Sequence, residues 1–110
     1  MDFEMTTAFD QDKDVWNIEL SGEVDIFNAN KMKNGLTELI LEKPKNLRIN
    51  CRALEYIDST ALGALVAVLK NARAYDGEIH LLNVRPNIAK LFRITNLDKV
   101  FVIEDGGDKV

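Results

Sequence analysis

Cysteine and histidine occur once each in 110 residues, as Cys51 and His80. One of each cannot build a zinc site. A single cysteine forms no internal disulfide, so nothing here asks for an oxidising compartment. Cys51 ends an apolar strand candidate, which suits a small buried thiol. His80 is the only imidazole a Ser-His-Asp triad could use. It lies between Ile79 and Leu81, where a strand histidine with satisfied hydrogen bonds is the simpler reading. The Walker phosphate loop, the Rossmann glycine fingerprint and the G-x-S-x-G nucleophile elbow are all absent. No apolar run reaches membrane-spanning length, and Ala61–Leu69 is too short. The start, MDFEMTTAF, lacks the basic region and apolar stretch of a signal peptide. The net charge of −4 comes with no clustered basic face, which argues against nucleic acid. Lys43 to Arg48 gathers some positive charge but is broken by Pro44. These absences lead us to expect a soluble, cytoplasmic, single-domain protein: no enzyme, no cofactor, no metal, no nucleic acid and no membrane.

What is present fits one domain. Apolar residues make up 46% of the chain and charged residues 29%. Phe3, Met5, Thr7 and Phe9 alternate, and so do Trp16, Ile18 and Leu20 after the polar turn DQDKD. The pair predicts an antiparallel hairpin that ends at Ser21-Gly22. Ala29, Met32, Leu36, Leu39 and Ile40 then recur at helical spacing, with Pro44 beyond the exit. LRINC is a short strand. Leu62, Leu65, Val66 and Leu69 give a second helix one stripe, and Gly77 is the expected left-handed terminator. EIHLLNV is an internal strand, and Pro86 opens a third helix that buries Ile88, Leu91 and Phe92. Asn96 should end that helix in a left-handed conformation. KVFVI is the last strand. The expected fold class is therefore α/β, a mixed sheet with an N-terminal antiparallel hairpin followed by alternating helices and parallel strands.

Two stretches could carry function. In Tyr56-Ile57-Asp58-Ser59-Thr60, Asp58 or Ser59 can cap the second helix. A hydroxyl at a helix N-terminus is also a good place to carry phosphate, because free N–H groups and the dipole stabilise the anion. Both readings rest on the same residues. In LSGEVDIFNA, Leu20 to Ala29, Gly22 reads as a turn and Asp25 as a helix N-cap. Ile26 and Phe27 cannot both be buried on one helical stripe, so one should face outward. An apolar residue beside acidic ones on a loop rim is what a docking surface needs. Both stretches follow strands at their carboxyl ends and should open on the same edge of the sheet. A phospho-receiver domain fits poorly: Asp25 lacks an adjacent acidic partner, and Lys99 precedes the last strand.

SGEVDIFNA, then LEYIDSTALGALV about thirty residues later, then GEIHLLNVRPNIAKLFRITNLDKVF together resemble the STAS domain. Within it they resemble the bacterial anti-sigma factor antagonists. The resemblance implies a STAS domain over residues 1–104 and a polar tail over 105–110. It implies that the chain binds a cognate anti-sigma factor, itself a serine kinase of the GHKL type, and so releases a sigma factor. Phosphorylation of Ser59 would switch binding off, and a phosphatase would reset it. The implied docking residues are Glu23, Asp25, Ile26, Phe27 and Asn28 on one stretch, and Asp58, Thr60, Ala61 and Leu62 on the other. An alternative within the family is an adaptor in another signalling assembly, stressosome-like or ligand-sensing. Two positions depart from the family pattern, Ala61 and Asn96, where relatives often carry glycine.

Overall fold

The computed structural model describes residues 2–104. The hairpin forms as expected. Strand β1 (Phe3–Asp10) pairs antiparallel with β2 (Val15–Val24), and Asp10 closes the turn between them by accepting the Lys13 amide at 3.0 Å. Phe9 and Trp16 meet edge-on across the hairpin at 5.1 Å. The second strand does not stop at Ser21-Gly22 but continues to Val24 through two register shifts. Gly22, between the two shifts, has φ of 89°, and a Cβ there would sit 2.3 Å from the Asp2 carbonyl oxygen. Its missing side chain lets the strand kink and go on, where the sequence suggested a turn.

Helix α1 (Ala29–Glu42) buries the five predicted apolar residues. Strand β3 (Asn46–Ile57) is far longer than LRINC. Leu47, Ile49 and Cys51 point inward as the alternation requires, and burial pushes the Cys51 thiol up to about 12. Beyond Cys51 the alternation breaks: Arg52 and Ala53 are both exposed, and so are Glu55 and Tyr56. At each of the two register shifts β3 carries one residue more than β2, so its inward residues become Leu54 and Ile57.

Helix α2 (Ser59–Arg73) is followed by a left-handed residue at Asp76, with φ of 62°, rather than at Gly77. Gly77 instead makes room for the Tyr75 ring, which a Cβ would approach within 2.4 Å. Strand β4 (Ile79–Leu82), helix α3 (Pro86–Ile94) and a 3-10 turn (Leu97–Lys99) lead to β5 (Val102–Glu104). Ile88 and Phe92 of α3 are buried and Leu91 is half-buried. Asn96 is left-handed as expected, with φ of 60°. The last strand is shorter than KVFVI because Lys99 belongs to the 3-10 turn. Phe101 is anchored edge-on to Phe92 at 5.3 Å.

The sheet order is β1-β2-β3-β4-β5, and every pairing after the hairpin is parallel. Strands are added in one direction only, so connections of one hand stack all the helices on one face. Leu20, Cys51 and Leu81 of the sheet accordingly face Leu65, Ile88 and Phe92 of α2 and α3 across a small apolar gap. The other face is polar and open, carrying Asn17, Glu19, Arg48, Asn50 and His80. His80 is satisfied there: Nδ1 lies 2.6 Å from Glu104 Oε2 and Nε2 lies 2.9 Å from Glu78 Oε1. Burial pulls its pKa down, but hydrogen bonds to both carboxylates and their charges outweigh that and hold it above 6.5.

Candidate functional site

Strands β2 and β3 end side by side. Val24 pairs with Ile57, and the Asp58 amide donates to the Val24 carbonyl at 3.2 Å. The chains leaving this last pair, at Asp25 and Asp58, therefore start as neighbours. Both stretches open on the carboxyl edge of the sheet, as the topology predicted.

Asp58 is extended, with φ −104° and ψ −176°, and stands at the N-cap of α2. Its Oδ1 accepts the Ala61 amide at 2.9 Å, which satisfies one orphan donor of the helix. Its Oδ2 accepts the Ile26 amide at 3.1 Å. One carboxylate thus ties the two stretches together across 32 positions of sequence. Ser59 is the first helical residue and is exposed, and its hydroxyl has no hydrogen bond among the described residues. The capping role falls to Asp58, leaving the Ser59 oxygen available. Lys70 and Arg73 in the last turn complement the helix dipole at its other end.

The loop from Asp25 to Asn28 is a closed turn. The Asp25 amide donates to Asn28 Oδ1 at 2.8 Å, and the Phe27 amide donates to Asp25 Oδ1 at 2.9 Å. Asn28 Nδ2 donates to the Glu23 carbonyl at 3.0 Å. Asp25 therefore heads this turn and is not the N-cap of α1, which begins after Asn28. Asn28 gives no side-chain cap either, because its amide group already serves Asp25 and Glu23. With these polar groups bonded inward, Ile26 is 65% exposed and Phe27 90% exposed. The sequence required one of them to face outward, and both do.

The sequence-derived phosphoacceptor Ser59 and the docking residues divide into three groups by exposure. Ile26, Phe27, Ser59 and Thr60 are exposed, and Glu23, Asp25, Asn28 and Asp58 are half-buried around them. Ala61 and Leu62 are corrected: at 0% and 8% exposure they belong to the core and present no side chain to a partner. Both lie on the inner face of the first turn of α2, where they pin the helix down. Tyr56 was missed. It is 48% exposed and pairs with Glu23 at the same edge, on the open face. The register shift opposite Gly22 and Glu23 lets both Glu55 and Tyr56 face solvent, and no single strand signals it. Among the described residues, no group of three or more His, Cys, Asp or Glu side chains could hold a metal ion. No helix there is long and apolar enough to cross a membrane.

Comparison with known proteins agrees with this geometry. The STAS domain family model matches residues 7–108. The anti-sigma-B factor antagonist of Staphylococcus aureus is 30% identical over 106 residues, spanning 96% of this chain and 94% of that one. The crystal structure of a Thermotoga maritima protein, 25% identical, superposes with a TM-score of 0.82 over 96% of this chain and 89% of that one. The Bacillus cell-fate determinant SpoIIAA in its phosphorylated form shares the fold at 18% identity, with a TM-score of 0.72 over 96% and 95% of the two chains. On the family match, the relatives and the fold together, the chain belongs to the STAS domain family, and its relatives are anti-sigma factor antagonists.

Proposed function

We propose that this chain is an anti-sigma factor antagonist. It docks on a cognate anti-sigma factor through the edge formed by the Asp25–Asn28 turn and the start of α2, and phosphorylation of Ser59 switches the docking off. The observation that carries this reading is the pairing of an exposed, uncommitted Ser59 hydroxyl with two outward apolar side chains, held together by Asp58. A partner that covers Phe27 must pass close to Ser59.

The physics of the switch follows. Phosphate adds about −1.5 to −2 charges at neutral pH. Glu23, Asp25 and Asp58 already make this rim acidic. The helix N-terminus tolerates the added anion, so the fold persists. Docking suffers instead, because a dianion has to be desolvated against a surface fitted to a neutral hydroxyl. A loss of roughly 3 kcal/mol weakens binding about a hundredfold. The anti-sigma factor would be the serine kinase that places the phosphate from ATP, and a phosphatase would remove it. Freed of its anti-sigma factor, a sigma factor can join RNA polymerase.

The test is a pull-down from the source cell with wild-type, Ser59→Ala and Ser59→Asp baits. Wild type and Ser59→Ala should capture a kinase of the GHKL type, and Ser59→Asp should lose it. Adding ATP to the wild-type capture should modify Ser59 and leave Thr60 untouched. Phosphate on Thr60, or equal capture by all three baits, would overturn the assignment.

A further inference from the structure

We propose that Asp58 is a positioning residue: its carboxylate sets the Ile26–Phe27 loop while capping the Ser59 helix, and it meets a partner only through that loop. Ile26 and Phe27 are 65% and 90% exposed, so side-chain packing does little to fix where they stand. Their backbone amides do it instead. The Phe27 amide is held by Asp25 within the turn, at 2.9 Å. The Ile26 amide reaches across to Asp58 Oδ2 at 3.1 Å, which ties the turn to the first turn of α2. Asp58 Oδ1 is occupied at the same time by the Ala61 amide at 2.9 Å. The carboxylate divides its oxygens between two elements, and both bonds are charge-assisted, the stronger kind. Asp58 itself is half-buried beneath the exposed residues. The strand pairing at Val24 and Ile57 brings the two stretches together, and the Asp58 carboxylate then ties the turn that carries Ile26 and Phe27 to the start of the Ser59 helix.

Separating the two bonds tests this. Asn and Ser are as good at an N-cap as Asp. Asp58→Asn keeps an oxygen for Ala61 but turns an NH2 group toward the Ile26 amide, setting donor against donor. Asp58→Ser keeps a cap and is too short to serve both sites. Amide hydrogen exchange, read by NMR on the full chain without any partner, should rise about tenfold at Ile26 in both variants, the effect of one lost charge-assisted bond. Amides within α2 and the melting temperature should stay close to wild type. Unchanged exchange at Ile26, or a rise shared equally by the first turn of α2, would overturn the proposal. The functional half rests on the docking reading above. Its measurement is the affinity of Asp58→Asn for the anti-sigma factor captured by wild type, expected to be about tenfold weaker. Wild-type affinity in a variant whose Ile26 amide has been released would overturn the positioning role. Failure of wild type to capture a partner would count against the docking reading alone, since the exchange data decide the geometry by themselves.

Discussion

At the amino ends of the parallel strands, Trp16 and Tyr75 turn toward the protein; at the carboxyl ends, Ile26 and Phe27 turn outward. Trp16 is 5% exposed, and its indole N–H donates to the Lys43 carbonyl at 3.0 Å. The Tyr75 hydroxyl donates to the Lys45 carbonyl at 2.9 Å. Both clamp the same connection around Pro44, and the Glu78 amide adds a bond to Asn46 Oδ1 at 2.8 Å. Across the sheet, Ile26 and Phe27 lie in solvent beside Ser59. Both ends spend hydrogen bonds on fixing loops. One end uses them to bury its aromatic surface, and the other uses them to hold apolar surface out. The amino end adds to the packed core, and the carboxyl end carries the surface proposed for docking.

The largest expected effect lies at the amino end. Trp16→Ala should lower the free energy of unfolding by about 3–5 kcal/mol, the range for deleting a buried aromatic. Urea titration measures it, and affinity for the anti-sigma factor, taken where the variant is still folded, should be unchanged. A loss of affinity at full folding would erase the division between the two ends. Phe27→Asp should invert the pattern. Binding should weaken by about 2 kcal/mol, roughly thirtyfold, as for a central apolar contact. Stability should move by no more than about 0.5 kcal/mol, as at other exposed sites. Calorimetry beside a melting curve separates the two quantities. Tyr75→Phe removes only the hydroxyl and should cost about 1 kcal/mol of stability, with binding untouched.

The smallest effect depends on pH. Glu78 joins the amino-end network to His80, which also holds Glu104 of the edge strand β5. The hydrogen bond from His80 is the main force holding the Glu104 carboxyl below its usual range. The His80 pKa is raised above 6.5, so the folded state binds its proton more tightly than the unfolded chain does. This contribution is fully present below the unfolded value and is lost as pH rises through the folded one. Urea midpoints of wild type should therefore fall across that window relative to His80→Gln, while affinity at the carboxyl end shows no matching step. Parallel midpoints for the two proteins would remove His80 from the stability of the sheet.

Much of the architecture was readable because the periodicities are clean. The hairpin and the three helices follow directly from alternation in Trp16–Leu20, from helical spacing in Ala29–Ile40 and Leu62–Leu69, and from Pro86 ahead of Ile88, Leu91 and Phe92. The second half of β3 was not readable, because a register shift between Glu19 and Ser21 gives β3 an extra residue opposite β2 and exposes Arg52 and Ala53 together. A bulge is a property of two paired strands, and neither strand shows it alone. Gly77 looked like a helix terminator by residue type, but the contact with Tyr75 decides its role and Asp76 takes the left-handed turn. At the site, the two stretches and their shared edge were legible from topology. The second bond of Asp58 was not, since it joins residues 32 positions apart and its only local trace is an ordinary cap.

The central claim is that Ser59 sits within the docking surface and that its charge, rather than any loss of fold, ends binding. Calorimetric affinity of the unmodified and Ser59-phosphorylated proteins for the captured anti-sigma factor tests it most directly. The phosphorylated form should bind about a hundredfold more weakly, with a melting temperature within a few degrees of the unmodified protein. Equal affinities would contradict it, and so would weak binding accompanied by collapse of the fold.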